Sequence, residues 1–408
     1  MKNIPWPRMI ALVDMNAFFA SIEQADHPEW QGLPVGITNG RTGTCIITCS
    51  YEARAYGIKT GMRLREARQR CPDFIQIPAQ PERYAAVSTR IMAALEDITP
   101  VIEVFSVDEA FLDLTACQRL WGSPGRIGRL IKHTVHQASG LSCSVGLSGD
   151  KTTAKYAAKV DKPDGLTIIP PWEARAALAP LPVTALCGIN TGIGGFLAER
   201  NVHTCGDMAK LPISELARRF GNPGRRIWYM CQGRDPEKVI TRVPAPKSMG
   251  HGKVVPPDTR DKAVIHTYLL HMSEKVATRL RRHRMEAGVF SIGLRIRQGW
   301  IGDTLKTAYP TQDGRRIMAL CDVVLNDYWR GEGIFQVQVT ALHPQPKGRQ
   351  LSFFEDDTQK TDACNRVMDQ VNTRYGEFTL APARLLKRSD MPNVIAPAWK
   401  PFGHRKTI

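Results

Sequence analysis

Residues 9–13, "MIALV", are uniformly apolar, as in a strand covered on both faces. The run stops at Asp14, which puts a carboxylate at the tip of a central strand. The following "AFFASIEQ" reads as helix. Residues 32–80 alternate short strands and loops with one basic helix, "RLREARQR". Residues 82–97 predict an amphipathic helix with Tyr84, Val87, Ile91 and Leu95 on one face. Residues 101–115, "VIEVFSVDEAFLDLT", predict two strands joined by a tight break. A helix near 124–138, a strand in "LSCSVGLSG", a lysine-rich helix in "DKTTAKYAAKV" and a "KPDG" turn follow. This alternation implies an α/β or α+β domain reaching about residue 170.

From 171 to 240 the pattern changes to short helices interrupted by Gly and Pro. "GINTGIGGFLAERNVHT" places a glycine-rich turn, with Gly192 and Gly194, between two of them. Such a turn can offer backbone N–H groups to a phosphate, or be a plain helix–helix corner. "TRVPAPKSMGHGKVVPP" has the Pro and Gly content of a linker. A long helix is predicted over 263–287, with Ile265, Leu269, Met272, Val276 and Leu280 on one stripe. "VFSIGLRIR" then alternates, turning Phe290, Ile292, Leu294 and Ile296 one way and Arg295 and Arg297 the other. A strand in "DTLKTAYP", a helix in "DGRRIMALCDVVLNDYW" and a strand in "IFQVQVTAL" complete a β-α-β-β-α-β order, the ferredoxin-like split unit. The arginine face suits a phosphate backbone, and an ordinary charged solvent face would read the same. Residues 345–408 have weak periodicity and read as a tail.

A chain of 408 residues exceeds one ordinary core, so two to four domains are expected. The formal charge of +16 favours a polyanionic partner, nucleic acid first, over a merely basic surface. The cysteines are scattered without a C-x-x-C pair, which speaks against structural zinc and a disulfide framework. No apolar run is long enough to cross a bilayer, and the N-terminal apolar run is interrupted by Asp14 and lacks a signal-peptide cleavage site. No membrane partner and a cytoplasmic location are therefore expected.

Asp108 and Glu109 pose the chemical question. Two adjacent carboxylates between apolar strands repel each other and lose hydration, so they stay ionised only beside a cation. The alternative is an ordinary exposed turn. With Asp14 they make three candidate ligands from distant segments. Oxygen ligands without histidine suit Mg²⁺ better than zinc. Two-metal phosphoryl transfer needs such an array, along with basic groups for a polyphosphate. Tyr51 and Arg54 in "TCSYEARAYGIKTGM" and Lys162 in "DKPDG" are candidates; taken singly, each is as ordinary as any surface residue.

Four motifs, "LVDMNAFFASIE", "SYEARAYGIKTGM", "FSVDEAFLDLT" and "GLSGDKTTAKYAAKVDKPDG", occur in the order and spacing of one family. The chain resembles the Y-family, or translesion, DNA polymerases of the DinB/UmuC type, to about residue 355. The resemblance implies an α+β multidomain right-handed polymerase. Its parts would be a ferredoxin-like palm (1–14 and 80–170), small fingers (15–79), a helix-hairpin-helix thumb (171–240), a linker (241–247), a little finger (248–344) and a tail.

It also implies roles. Asp14, Asp108 and Glu109 match the family's catalytic metal ligands, with the Met15 carbonyl, for two Mg²⁺ ions. Thr48, Tyr51, Arg54 and Lys162 match triphosphate contacts. Phe19 matches the steric gate that excludes a ribose 2′-OH, and Phe18 lines the same pocket. Asn16 stands where many polymerase IV sequences carry an acidic residue, as in the polymerase V catalytic subunit, whereas the paired phenylalanines look like polymerase IV. Gln350, Leu351, Phe353 and Phe354 resemble the peptide by which bacterial polymerases dock on the sliding (beta) clamp, with Phe353 a departure from the usual Leu. The implied partners are primer–template DNA, deoxynucleoside triphosphates, the clamp and accessory SOS proteins. The implied activity is low-fidelity, poorly processive DNA synthesis past lesions. A catalytically inactive DNA-binding adaptor and a palm-type nucleotidyl cyclase are the alternatives. The intact carboxylates and basic residues argue against the first, and the DNA-gripping elements against the second.

Overall fold

The apolar run that ends at Asp14 is the middle strand of a five-stranded sheet in a computed structural model of the chain. The structure describes residues 6–40, 44–242, 245–348 and 357–387. These divide into two units, one through residue 242 and one from 245.

The strands of the first unit are β1 (Ile10–Met15), β2 (Val35–Thr38), β3 (Ile46–Cys49), β4 (Ile75–Pro78), β5 (Ile102–Val104), β6 (Glu109–Asp113), β7 (Cys143–Ser148) and β8 (Leu166–Ile168). Its helices are α1 (Phe18–Asp26), α2 (Tyr51–Ala55), α3 (Leu64–Arg70), α4 (Pro81–Glu96), α5 (Gln118–Trp121), α6 (Pro124–Ser139), α7 (Lys151–Val160), α8 (Ala174–Leu178), α9 (Thr191–Ala198), α10 (Cys205–Met208) and α11 (Ile213–Met230), the last broken at Gly221. The larger sheet has the order β5-β6-β1-β7-β8, and β2, β3 and β4 form a separate small sheet.

Because β1 is central, both its faces are covered. Ala11, Val13 and Met15 join a core with Tyr84, Val87, Ile91 and Leu95 of α4 and Ile127, Ile131 and Val135 of α6. Ile10 and Leu12 pack on the other face with Phe111, Ala154 and Ala158, where α7 lies. Side chains two apart share a face. Asp14 therefore emerges at the end of the α7 face, and Glu109, two before Phe111, emerges beside it. The α7 backbone lies very close to the sheet: a Cβ at Gly146 of β7 would stand 2.2 Å from the Ala154 carbonyl oxygen and the Ala158 nitrogen. Only glycine allows that approach.

Residues 174–230 are the short helices expected, with their own apolar core around Leu178, Leu197, Met208, Leu216 and Ile227. Gly192 and Gly194 do not form a turn between two helices. They lie inside the first turns of α9, whose N-cap Asn190 accepts from the Ile193 N–H. The Asn190 cap starts the helix, and burial of Leu197 in the surrounding apolar core helps hold it against the weak helix preference of its glycines.

The second unit contains β9 (Ser248–Thr259), α12 (Lys262–Arg282), β10 (Met285–Ile296), β11 (Gly299–Thr311), α13 (Gly314–Asp327), β12 (Ile334–Leu342), β13 (Gln345–Pro346) and α14 (Asp357–Tyr375). The chain order up to β12 is the predicted β-α-β-β-α-β. The sheet order β11-β10-β12-β9 puts the second and fourth strands inside. The long helix ends at Arg282, five residues short of the predicted end, because Arg284 turns to φ +53° and Met285 starts β10.

The tail reading is also corrected. Beyond β13, α14 belongs to this unit and is held by charged contacts. The Arg281 side chain, 5% exposed, donates twice to Asp369 at 2.6 and 2.7 Å, and Lys275 pairs with Glu377. Phe378 meets the His271 ring edge-on, with 4.7 Å between centroids.

Candidate active site

β1 and β6 are antiparallel neighbours with Asp14 opposite Glu109. The Met15 N–H donates to the Asp108 carbonyl at 2.9 Å, which staples the hairpin to the strand tip. Asp14, Asp108 and Glu109 are thus brought together from segments far apart in the chain. Asp14 is buried; Asp108 and Glu109 are half-buried.

Each carboxylate has a nearby donor. Lys162 Nζ lies 2.5 Å from Asp14 Oδ1, Lys155 Nζ lies 2.5 Å from Glu109 Oε2, and the Ser106 hydroxyl donates to Asp108 Oδ1 at 2.5 Å. One turn before Lys155, Lys151 pairs with Glu103 at 2.8 Å. Lys151 and Lys155 share a face of α7 because residues four apart are neighbours on a helix. Lysines 151 and 155 were not singled out from the sequence. The available signal was their spacing within "DKTTAKYAAKV", which acquires meaning only once α7 lies over the carboxylate edge.

Crowding of negative charge is visible in the titration of the site. Burial pushes the Asp14 carboxyl up to about 6; Lys162 opposes this, and Glu109 and Asp108 add to it. Burial also raises Asp108, opposed by the Ser106 hydroxyl and reinforced by Glu109.

Among the described residues, no group of three or more His, Cys, Asp or Glu side chains closes into a metal cage. The lysine ammoniums stand against two of the carboxylates. The donor set nonetheless fits a hard divalent cation. It consists of oxygen ligands alone, and a cation would relieve the repulsion that raises Asp14 and Asp108.

Of the residues matched to triphosphate contacts, Tyr51 lies near enough to Asp14 for that carboxylate to act on its hydroxyl. Thr48 is half-buried in β3, opposite Ile37 of β2. Tyr51 begins α2, capped by Ser50, whose hydroxyl accepts from the Ala53 N–H. The Arg54 guanidinium lies 4.6 Å from the centre of the Tyr51 ring. The Tyr51 hydroxyl is buried and makes no hydrogen bond of ordinary geometry, although Arg54 lies near it. An orphaned hydroxyl beside an exposed arginine fits an anionic ligand, because a buried donor without a partner costs about 1–3 kcal/mol.

Phe18 and Phe19 open α1, directly after Ala17 turns through φ +44°. Phe19 is 8% exposed and stacks on Tyr84 with 4.3 Å between ring centroids. It is therefore part of the core. The Asn16 amide donates to the Ser142 hydroxyl and accepts from the hydroxyl of Ser144, the residue opposite Asp14 on β7, both at 3.0 Å.

The remaining expected residues lie elsewhere. Gly192 and Gly194 are in α9 of the first unit. Arg295 and Arg297 are exposed in the second unit, at the end of β10 and in the turn after it. Gln350, Leu351, Phe353 and Phe354 fall outside the described residues. All ten cysteines are free thiols. Among the described residues no helix is long and apolar enough to cross a membrane.

Residues 13–159 match the model of the impB/mucB/samB family, and residues 246–353 match that family's C-terminal domain. DNA polymerase IV of Moorella thermoacetica is 36% identical over 377 residues, covering 90% of this chain and 94% of the relative. DNA polymerase IV of Alkalilimnicola ehrlichii is 32% identical over 354 residues, covering 85% of this chain and 99% of the relative. Among solved structures, a Y-family DNA polymerase chimera superposes with a TM-score of 0.71 at 26% identity, over 83% of this chain and 100% of the chimera.

Proposed function

The chain belongs to the impB/mucB/samB family of Y-family DNA polymerases, and we propose that its carboxylate edge adds deoxynucleoside triphosphates to a primer 3′-OH on damaged templates. The enzyme is a DNA-directed DNA polymerase for translesion synthesis. The observation that carries the site assignment is the pairing of Asp14 with Glu109 across β1 and β6, with Asp108 stapled beside them.

Asp14, Asp108, Glu109 and the Met15 carbonyl would hold two Mg²⁺ ions, which supply the Lewis-acid chemistry that activates the 3′-OH and steadies the departing pyrophosphate. Lys162 sits past the end of α7 with its side chain 25% exposed. It is free to exchange Asp14 for a triphosphate oxygen. Tyr51, with its unpaired hydroxyl, Arg54 and Thr48 bind the remaining phosphate oxygens. Phe19, locked on Tyr84 and backed by Phe18, presents a rigid ring where a ribose 2′-OH would project.

In this reading the five-stranded sheet is the palm (1–14 and 80–170), residues 15–79 are the fingers, 171–240 the thumb, 241–247 the linker and 248–344 the little finger. Duplex DNA meets the N-terminal turn of α9, at Gly192 and Gly194, and the exposed Arg295 and Arg297. Small fingers over residues 15–79 would leave the nucleotide site open, so base-pair shape is checked poorly and fidelity is low. Gln350, Leu351, Phe353 and Phe354 dock on the sliding clamp, and synthesis belongs to the SOS response in the cytoplasm. Primer extension tests the site. Asp108→Ala should lose nucleotide addition in Mg²⁺ while keeping the parent's primer–template affinity by fluorescence anisotropy. Extension by the variant at the parent's rate would refute the assignment.

A further inference from the structure

Two lysines meet the carboxylate edge, and the fold holds them differently. Lys162 lies on the chain beyond α7. Lys155 is in the middle of α7, its side chain 10% exposed, with its ammonium 2.5 Å from Glu109 Oε2 and 4.4 Å from the centre of the Phe105 ring. The helix that carries it is pressed onto β7 at Gly146, which fixes the backbone from which the lysine extends. No other described side chain hydrogen-bonds to Glu109.

Lys151, one turn earlier, repeats the arrangement. It pairs with Glu103 and stands 4.9 Å from the centre of the Phe111 ring. There the carboxylate is also used by the fold: Glu103 Oε2 accepts from the Ile240 N–H at 2.7 Å, and Lys151 also reaches Glu237 at 3.1 Å. Glu109 has no such second attachment, so one of its oxygens is left for a ligand.

We propose that Lys155 is a positioning residue for nucleotide addition: its ammonium grips Glu109 by Oε2 and presents Oε1 to the divalent cation of the reaction. The inference rests on the reading of Glu109 as a metal ligand. A carboxylate on a free side chain would lose rotamer entropy each time it bound a cation. Fixed by a buried, ring-backed lysine, Glu109 has already lost it. The positive charge of Lys155 also offsets the repulsion between Glu109 and its neighbours Asp108 and Asp14. Lys151 makes the same contacts for the fold alone.

The test measures Mn²⁺ binding by the loss of the free-ion electron paramagnetic resonance signal, without nucleotide, alongside kcat and KM for the incoming nucleotide. Lys155→Met should weaken Mn²⁺ binding and lower kcat by about 10–100-fold, the usual cost of removing a partner that orients a ligand. KM and primer–template affinity should stay near the parent's, and Lys155→Arg should recover most of both losses. Lys151→Met should lower the melting temperature without changing Mn²⁺ affinity. Should Lys155→Met not fold, Lys155→Gln replaces it in every comparison.

Glu109→Ala separates the two layers of the argument. If Glu109→Ala weakens Mn²⁺ binding and the Lys155 variant keeps the parent's affinity and kcat, the positioning role is wrong. If Glu109→Ala itself binds Mn²⁺ like the parent, the ligand reading is wrong and the positioning role falls with it. A Lys155 variant that loses only thermal stability, as Lys151→Met is expected to do, also overturns the proposal.

Discussion

Asp14→Asn isolates the cost of ionising a carboxylate at the buried tip of β1. In the folded chain burial lifts this carboxyl to about 6, against an ordinary value of 3.8. Between those values the folded form holds a proton that the unfolded form has lost. The stability contributed by protonated Asp14 is complete below the lower value and is lost as the pH rises through the higher one. At about 1.36 kcal/mol per pH unit, the full cost at neutral pH is about 3 kcal/mol. The attraction of Lys162 is already inside that figure, because it is one of the influences on the carboxyl. Asparagine has nearly the shape of the protonated acid and never ionises. In EDTA at pH 8, Asp14→Asn should therefore be more stable than the parent by about 3 kcal/mol. For a unit of this size that is a rise of about 6–12 °C in the first melting transition. Scanning calorimetry from pH 4 to pH 8 should show the gap opening as pH increases. Added Mg²⁺ should narrow it by stabilising the parent alone, through mass action. Equal stability at pH 8, or a less stable variant, would refute the claim that Asp14 is kept in place at the expense of the fold.

Phe19→Ala should raise ribonucleotide over deoxynucleotide incorporation, and should also destabilise the chain by about 3–5 kcal/mol, since the ring is stacked on Tyr84; incorporation ratios and melting curves measure the two effects separately, and an unchanged sugar ratio leaves a core role alone. Asp369→Ala leaves the buried Arg281 guanidinium without its carboxylate and should cost the second unit about 3 kcal/mol in urea unfolding; an unchanged midpoint would mean that α14 is not anchored there. Phe353→Ala with Phe354→Ala should abolish sliding-clamp binding by surface plasmon resonance while clamp-free primer extension persists, and equal clamp affinity would remove that assignment.

Several features were legible because they are local. A strand buried on both faces needs an apolar residue at every position, so residues 9–13 announced β1, which runs one residue past Asp14 to Met15. Two carboxylates in a tight break between apolar strands announced Asp108 and Glu109. The lysine-rich stretch read as a helix, and Asp150 caps it as an N-cap aspartate should, accepting from the Thr153 N–H. The residues proposed to meet the triphosphate and the sugar came through resemblance of whole motifs; none would have stood out from its neighbours on composition.

Other features depend on partners that local pattern cannot supply. Residues 357–375 are too polar to announce a buried face, and their helix is anchored by Arg281, 88 positions from its partner Asp369, while just past the helix end Glu377 is held by Lys275, 102 positions away. The glycines of 192–195 look like a turn, yet the Asn190 cap starts a helix through them. Strand order is likewise a global choice: the second unit's alternating strands do not reveal that β10 and β12 are the inner pair. The largest difference concerns the candidate site. Three carboxylates and a lysine-rich helix can be read from their motifs. Which lysine meets which carboxylate follows from the antiparallel register of β1 with β6 and from a glycine at 146 that lets α7 settle against the sheet. Those contacts are a property of packed surfaces, and packing joins residues by distance in space rather than by distance along the chain.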